Sequence, residues 1–163
     1  CGTWGDPVMN KDLTKMVEYI LKNSRAYVTI DTNGSIRDEE WWWNLGILGG
    51  KRLRVTFAVD GLDQEMHAFY RRNTSLSKVL DNMEALSNTM ASIYTRTIVF
   101  KHNEDYLDQI HEMVKDHGAV RSWFTPSDRW YKDSGGPFVF NFTDADGKEQ
   151  KFEKSKIVNE YQM

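Results

Sequence analysis

Across residues 10–23 the apolar side chains fall at Leu13, Met16, Val17, Ile20 and Leu21, an i, i+3, i+4, i+7, i+8 stripe that predicts a helix with one buried face. Asn10 stands at its N-cap, where a short side-chain oxygen accepts an orphan N–H. Residues 26–30 then gather the strand formers Tyr27, Val28, Thr29 and Ile30 and stop at Asp31-Thr32-Asn33-Gly34. Residues 35–38 fit a capping-box start for a second helix, running through Trp41, Trp42, Trp43 and Leu45 to Gly46. A second strand spans 53–59 and ends at Asp60-Gly61. A third helix spans 75–88, with Leu76, Val79, Leu80, Met83 and Leu86 on one face. A strand over 96–100 ends at Lys101-His102-Asn103, and the helix after it uses Leu107, Ile110 and Val114 before stopping at Gly118.

Strand alternating with helix predicts βα units around a parallel sheet, an α/β fold. The strands read as near-continuously apolar, as strands covered on both faces do. The chain changes character after residue 118. Residues 138–142 alternate apolar and polar, Asp144-Ala145-Asp146-Gly147 is a turn signal, and 149–152 return as a partner strand. The expected organisation is therefore a βα core over 1–118 and a C-terminal, hairpin-bearing extension over 119–163.

The chain has 163 residues, enough for one sizeable core, and no apolar run near the roughly 18 residues of a membrane span. A net charge of −3 argues against a generic nucleic-acid binder. The single cysteine, Cys1, excludes a disulfide framework or a multi-cysteine metal site built from these residues alone, and points to a reducing, cytoplasmic setting. The sequence opens on Cys1 and a Gly-rich turn rather than on Met, which reads as a fragment lacking upstream sequence.

Four polar clusters follow strands or expected strands: Gly5-Asp6-Pro7, Asp31-Thr32-Asn33-Gly34, Asp60-Gly61 and His102-Asn103. Each alone reads as ordinary turn chemistry. At the carboxyl edge of a parallel sheet such loops converge and ligands bind, so together they point to a small ligand.

The order of these segments carries a resemblance. Cys1-Gly2-x-x-Gly5-Asp6-Pro7, a helix, Asp31-Thr32-Asn33-Gly34-Ser35, then Val59-Asp60-Gly61-Leu62 followed by Tyr70-Arg71 resembles the radical SAM superfamily. It is most similar to the branch of molybdenum-cofactor and peptide-maturation enzymes, as is Phe100-Lys101-His102-Asn103-Glu104. The resemblance covers residues 1–118 and implies part of an open β/α barrel. It also implies S-adenosylmethionine (SAM) bound to a four-iron four-sulfur (4Fe-4S) cluster, reductive cleavage to a 5′-deoxyadenosyl radical, and hydrogen abstraction from a small-molecule or peptide substrate. A flavodoxin or ferredoxin would supply the electron.

Residue by residue, Gly5, Asp6 and Pro7 stand where the family has a Gly-Gly-Glu turn that receives the methionyl ammonium. Asp6 is one methylene shorter than Glu, which shifts weight onto backbone carbonyls. Thr32 and Asn33 match a Thr-Asn-Gly segment at the methionyl group, and Asp60 matches the acid of a Ser-x-Asp-Gly segment at the ribose. There the sequence departs, because the serine position is Ala58. Arg71 reads either as a partner for a carboxylate or as a surface arginine, and Asn103 as the cap of the following helix.

The larger departure is the cluster. The family's Cys-x3-Cys-x2-Cys loop is absent, and Cys1 stands where the family has no ligand, so it reads as a small buried apolar residue. The resemblance thus implies the SAM-holding body of a radical SAM enzyme, inactive by itself, with an exposed sheet edge. A non-catalytic α/β module for a nucleotide or a partner is the alternative. A phosphate-binding dinucleotide domain ranks below both, since Gly2-x-x-Gly5-Asp6 is not G-x-G-x-x-G and its acid would repel phosphate. His111 and His117 are six apart, not four, and make no zinc helix. Asp144-Ala145-Asp146-Gly147 lacks the later ligands of a calcium loop. The interleaved Lys148, Lys151, Lys154, Lys156, Glu149 and Glu153 read as a solvated face. Trp41, Trp42 and Trp43 cannot all face one core, so at least one is expected outside it.

Overall fold

Strands β1 (Val28–Thr32), β2 (Leu53–Ala58), β3 (Ser92–Val99) and β4 (Ala119–Pro126) pair in parallel in chain order, in a computed structural model that describes residues 5–127, 139–143, 147–157 and 161–163. Between them run α1 (Leu13–Asn23, ahead of β1), α2 (Glu39–Gly49), α3 (Gln64–Tyr70), α4 (Leu76–Ser87) and α5 (Leu107–Asp116). Strands β5 (Val139–Thr143) and β6 (Glu149–Glu153) form a separate antiparallel pair, and a short β7 (Tyr161–Gln162) lies antiparallel to β4. The sheet order is β1-β2-β3-β4-β7, so β1 is an edge with no further strand beside it among the described residues. No helix among those residues is long and apolar enough to cross a membrane.

The α/β architecture expected from the alternation is the one observed, with corrections that have physical reasons. The strands are not covered on both faces. In β2, Leu53, Val55 and Phe57 are fully buried in one core with Trp42 and Leu45 of α2 and Val79, Met83 and Leu86 of α4. Arg54, Thr56 and Ala58 alternate with them and point to the other face, so the period-2 pattern is hidden only because Thr and Ala are neither clearly polar nor clearly apolar. The sheet also has a fourth parallel strand beyond the three that the pattern predicts: β4, whose apolar run is interrupted by Arg121 and Ser122. The sequence boundary at residue 118 falls between α5 and β4.

Helix α2 starts later than the Ser35 signal indicates. Asp38 is its N-cap and accepts the Trp41 N–H at 2.9 Å, while the preceding turn is held by Gly34 at φ +76° and Arg37 at φ 71°. Gly34 is required twice over, since any Cβ there would collide with the Phe57 ring. Helix α1 begins at Leu13, and Asn10 instead accepts the Asp12 N–H at 2.9 Å in the turn before it. Trp42 is buried, donating through Nε1 to the Ile36 carbonyl, and Trp43 is exposed, as the crowding argument requires.

The expected hairpin is present as β5–β6, with Phe142 opposite Gln150. It is fastened to the loop after β3: the Lys101 N–H donates to the Glu153 carbonyl, Lys101 Nζ lies 2.7 Å from Glu153, and Ser155 Oγ donates to Glu104 at 2.6 Å. With Lys151 also at 2.6 Å, the two ammonium groups pull the Glu153 carboxyl down to about 2. Cys1 and the turn at 144–146 lie outside the described residues.

Candidate functional site

The carboxyl ends of β1, β2 and β3 open onto one groove of about 410 Å³ on the sheet face away from the helices. Gly5, Asp6, Asp31, Thr32 and Asn33 line one side, and Thr56, Ala58, Arg71, Arg96 and Ile98 line the floor and the other side.

Asp6 builds the first side. Its carboxylate caps the 3-10 turn Pro7–Met9 by accepting the Val8 N–H at 3.0 Å. It also accepts the Thr32 hydroxyl at 2.9 Å and the Asn33 N–H at 2.8 Å, joining the N-terminal turn to the end of β1. Thr32 Oγ1 in turn accepts the Gly34 N–H at 2.9 Å. Val8, fully buried, anchors the turn in the core, and Arg37 Nε donates to its carbonyl at 3.2 Å. Pro7 occupies the first position of the turn, where its missing N–H costs nothing, and does not line the groove. Gly5 does line it, at φ +146° with open space where a side chain would stand, so its backbone is presented to the cavity.

Asp60 builds the second side from within. It is fully buried and does not line the groove. One carboxylate oxygen accepts the Ile98 N–H at 2.6 Å and the other meets Arg71 Nε at 2.5 Å. Its own N–H donates to His67 Nδ1 at 3.2 Å, and its carbonyl accepts Asn103 Nδ2 at 3.0 Å. Arg71 then carries the connection outward, donating through Nη1 to Asn33 Oδ1 at 2.9 Å. Asp6, Thr32, Asn33 and Asp60 are thus joined in one polar network, with Arg71 as the link.

The structure chooses between the two readings of Arg71 and corrects that of Asn103. Arg71 is not a surface arginine: it is largely covered and bridges β1 to Asp60. Asn103 is not a helix cap, since α5 begins at Leu107. It is fully buried, accepts the Phe100 N–H at 2.8 Å and donates to the Ile98 and Asp60 carbonyls. An amide has the donors and the acceptor to close a strand end in this way.

His67 was not singled out by sequence, nor was Arg96. Helix α3, whose only local signal is Asp63 ahead of Gln64-Glu65, brings His67 beneath Asp60. Burial pushes the His67 imidazole below its ordinary pKa, outweighing the upward pull of Asp60. Because Nδ1 accepts the Asp60 N–H, the neutral ring carries its proton on Nε2.

The groove combines carboxylates (Asp6, Asp31), guanidiniums (Arg71, Arg96) and short hydroxyl and amide groups in a volume suited to a small ligand. This donor set fits a zwitterion bearing polar hydroxyls, which is the chemistry of SAM. The residues do not fit an iron–sulfur cluster. Such clusters need thiolates, the chain has one cysteine, and no group of three or more potential metal ligands occurs among the described residues.

Comparison with known proteins agrees with the fold. No curated protein matches the chain. Among solved structures, the crystal structure of archaeal TYW1 aligns with a TM-score of 0.56 at 11% identity, over 95% of this chain and 56% of that one. The structure of TYW1 with a lysine–pyruvate adduct bound aligns with a TM-score of 0.57 at 12% identity and the same coverage. At that identity the likeness speaks for the fold, and the chain spans 56% of the length of either. A sequence profile described as the Radical SAM superfamily matches residues 1–114, and on that match this chain belongs to the radical SAM superfamily.

Proposed function

We propose that the groove at the carboxyl ends of β1–β3 holds the methionyl and ribosyl parts of SAM, and that the chain is the SAM-holding body of a radical SAM enzyme. The observation that carries this reading is the joining of Asp6 to β1: the Gly-Asp-Pro turn and the Thr-Asn-Gly turn are locked together through one carboxylate, side by side on one cavity. Asp6 already accepts several hydrogen bonds, so its contribution is to present the Gly5–Asp6 backbone carbonyls, and its own negative charge, to an ammonium group. Arg71 and Arg96 offer guanidinium donors to the carboxylate of the same amino acid. Asp60 acts through Arg71, fixing the orientation of its fork, and Pro7 fixes the turn. Thr32 and Asn33 shape the wall between the two ends.

SAM, when bound, would supply the hydrogen-abstracting chemistry of the family, and the part of these residues would be to hold and orient its methionyl and ribosyl groups. In this reading the thiolates of a cluster would not come from these 163 residues, which hold one cysteine. The lone cysteine favours a second reading, a non-catalytic nucleotide- or partner-binding module on the same frame.

Calorimetric titration of the chain with SAM and, separately, with NAD tests the first reading. Saturable one-to-one binding of SAM, competed by S-adenosylhomocysteine and absent for NAD, is expected. Binding of NAD alone, or of neither, overturns it.

A further inference from the structure

Beside the groove lies a second cavity of about 490 Å³, and the two share a wall, since Asn33 and Arg71 line both. The second is otherwise built from Tyr70 at the end of α3, Arg72 and Thr74 just after it, and Phe142 and Phe152 of the hairpin. Its rings are held in place by packing. Phe152, almost fully buried, stacks on Phe142 at 4.6 Å and on Phe100 at 4.9 Å between centroids, and Tyr70 meets Phe100 at 4.8 Å. The Arg72 guanidinium sits over the Phe142 ring at 4.2 Å, and its one hydrogen bond among the described residues is a long one, 3.4 Å, to the Thr143 carbonyl. Among the described residues no carboxylate lines the cavity. Arg71 is compensated by the buried Asp60, so the cation at the mouth of this aromatic chamber is Arg72, which has no acidic partner among the described residues. Guanidinium forks take carboxylates in two-point contacts, and ring walls take flat apolar bodies.

We propose that this cavity binds an aromatic carboxylate, with its acid on Arg72 and its ring against Tyr70 and Phe142, and that this is the class of molecule on which bound SAM acts. The second clause rests on the SAM-holding reading; the first does not. Through the Asn33–Arg71 wall the bound ring would lie next to the groove, and the hairpin, which has no part in the parallel sheet, gains a role as a wall of the substrate chamber.

Indole-3-acetate is the probe, followed by NMR titration of the chain, with tryptamine and acetate as controls for charge and ring. Indole-3-acetate is expected to bind saturably, and each control at least about tenfold more weakly, the size of one lost charge-assisted hydrogen bond. Arg72→Gln and Phe142→Leu are each expected to weaken the probe about tenfold while leaving SAM affinity unchanged, which also reports that both variants fold. No binding of the probe, equal binding of tryptamine, or indifference to Arg72→Gln overturns the inference whatever SAM does. Arg72-dependent probe binding without SAM binding upholds the ligand class and overturns the SAM reading instead.

Discussion

Arg71 Nε lies 2.5 Å from a carboxylate oxygen of the fully buried Asp60, and the same guanidinium reaches Asn33 Oδ1 at 2.9 Å. An acid just past β2 thus fixes an amide just past β1, across a cation delivered by α3. The pair is a structural keystone as well as part of the groove. Removing one member leaves the other's charge uncompensated, most severely the fully buried Asp60 carboxylate, and the cost of that exceeds the worth of the intact pair.

Asp60→Ala is accordingly expected to lower unfolding free energy by about 3 to 5 kcal/mol, measured by urea denaturation. Arg71→Met should cost a similar amount, and the double variant should cost clearly less than the sum, because each single change strands the other's charge. Strict additivity would show that the two do not act as a pair.

Asp6→Ala removes the acceptor for the Thr32 hydroxyl and the Asn33 and Val8 N–H groups. The expected loss is about 2 kcal/mol of stability, together with about a tenfold fall in SAM affinity as the two turns separate. Asp6→Asn, which keeps an acceptor but not the charge, should fall between. Unaltered SAM binding in Asp6→Ala would remove the turn from the site.

Gly34→Ala combines a left-handed backbone with a collision against the Phe57 ring. Its expected cost is about 3 kcal/mol, from the αL penalty together with overpacking. A variant as stable as the parent would mean that the turn after β1 is free to rearrange, contrary to the locked wall described above.

His67 and His102 are both pushed below the ordinary histidine pKa by burial. A depressed histidine binds its proton later in the folded than in the unfolded chain. Stability from these sites is therefore complete above about pH 6.5 and declines as pH falls below it. Glu153 adds a second limb: its carboxyl, drawn from 4.5 to about 2 by Lys101 and Lys151, contributes above the unfolded value and is lost as pH falls between the two. Denaturation midpoints from pH 8 to pH 3 should show the upper limb flattened in His67→Gln. A midpoint that rises on acidification from pH 7 to pH 5 contradicts the assignment.

Much of this fold is written in local pattern. The α4 stripe at Leu76, Val79, Leu80, Met83 and Leu86 is read correctly because a regular 3.6-residue period is unaffected by what it packs against. The hairpin is read correctly because its alternation and turn residues are contiguous. The β4 strand and α3 are not legible in the same way: one has an exposed arginine followed by a buried serine where an apolar run is expected, and the other is seven residues long with no sustained period. The site divides along the same line. The clusters Gly5-Asp6-Pro7 and Thr32-Asn33 announce themselves as turns after strands, yet the bond that joins them spans 26 residues and follows only from the sheet. Likewise Asp60 is visible in sequence, but its burial, and its action through Arg71 rather than directly on the groove, depend on how α3 folds back.

The most direct measurement of the central claim is amide-shift mapping of the labelled chain on addition of SAM. The account expects saturable shifts confined to Gly5, Asp6, Thr32, Asn33, Arg71 and their neighbours around one groove. Shifts clustered on the helix-covered face, or none at saturating SAM, would contradict it.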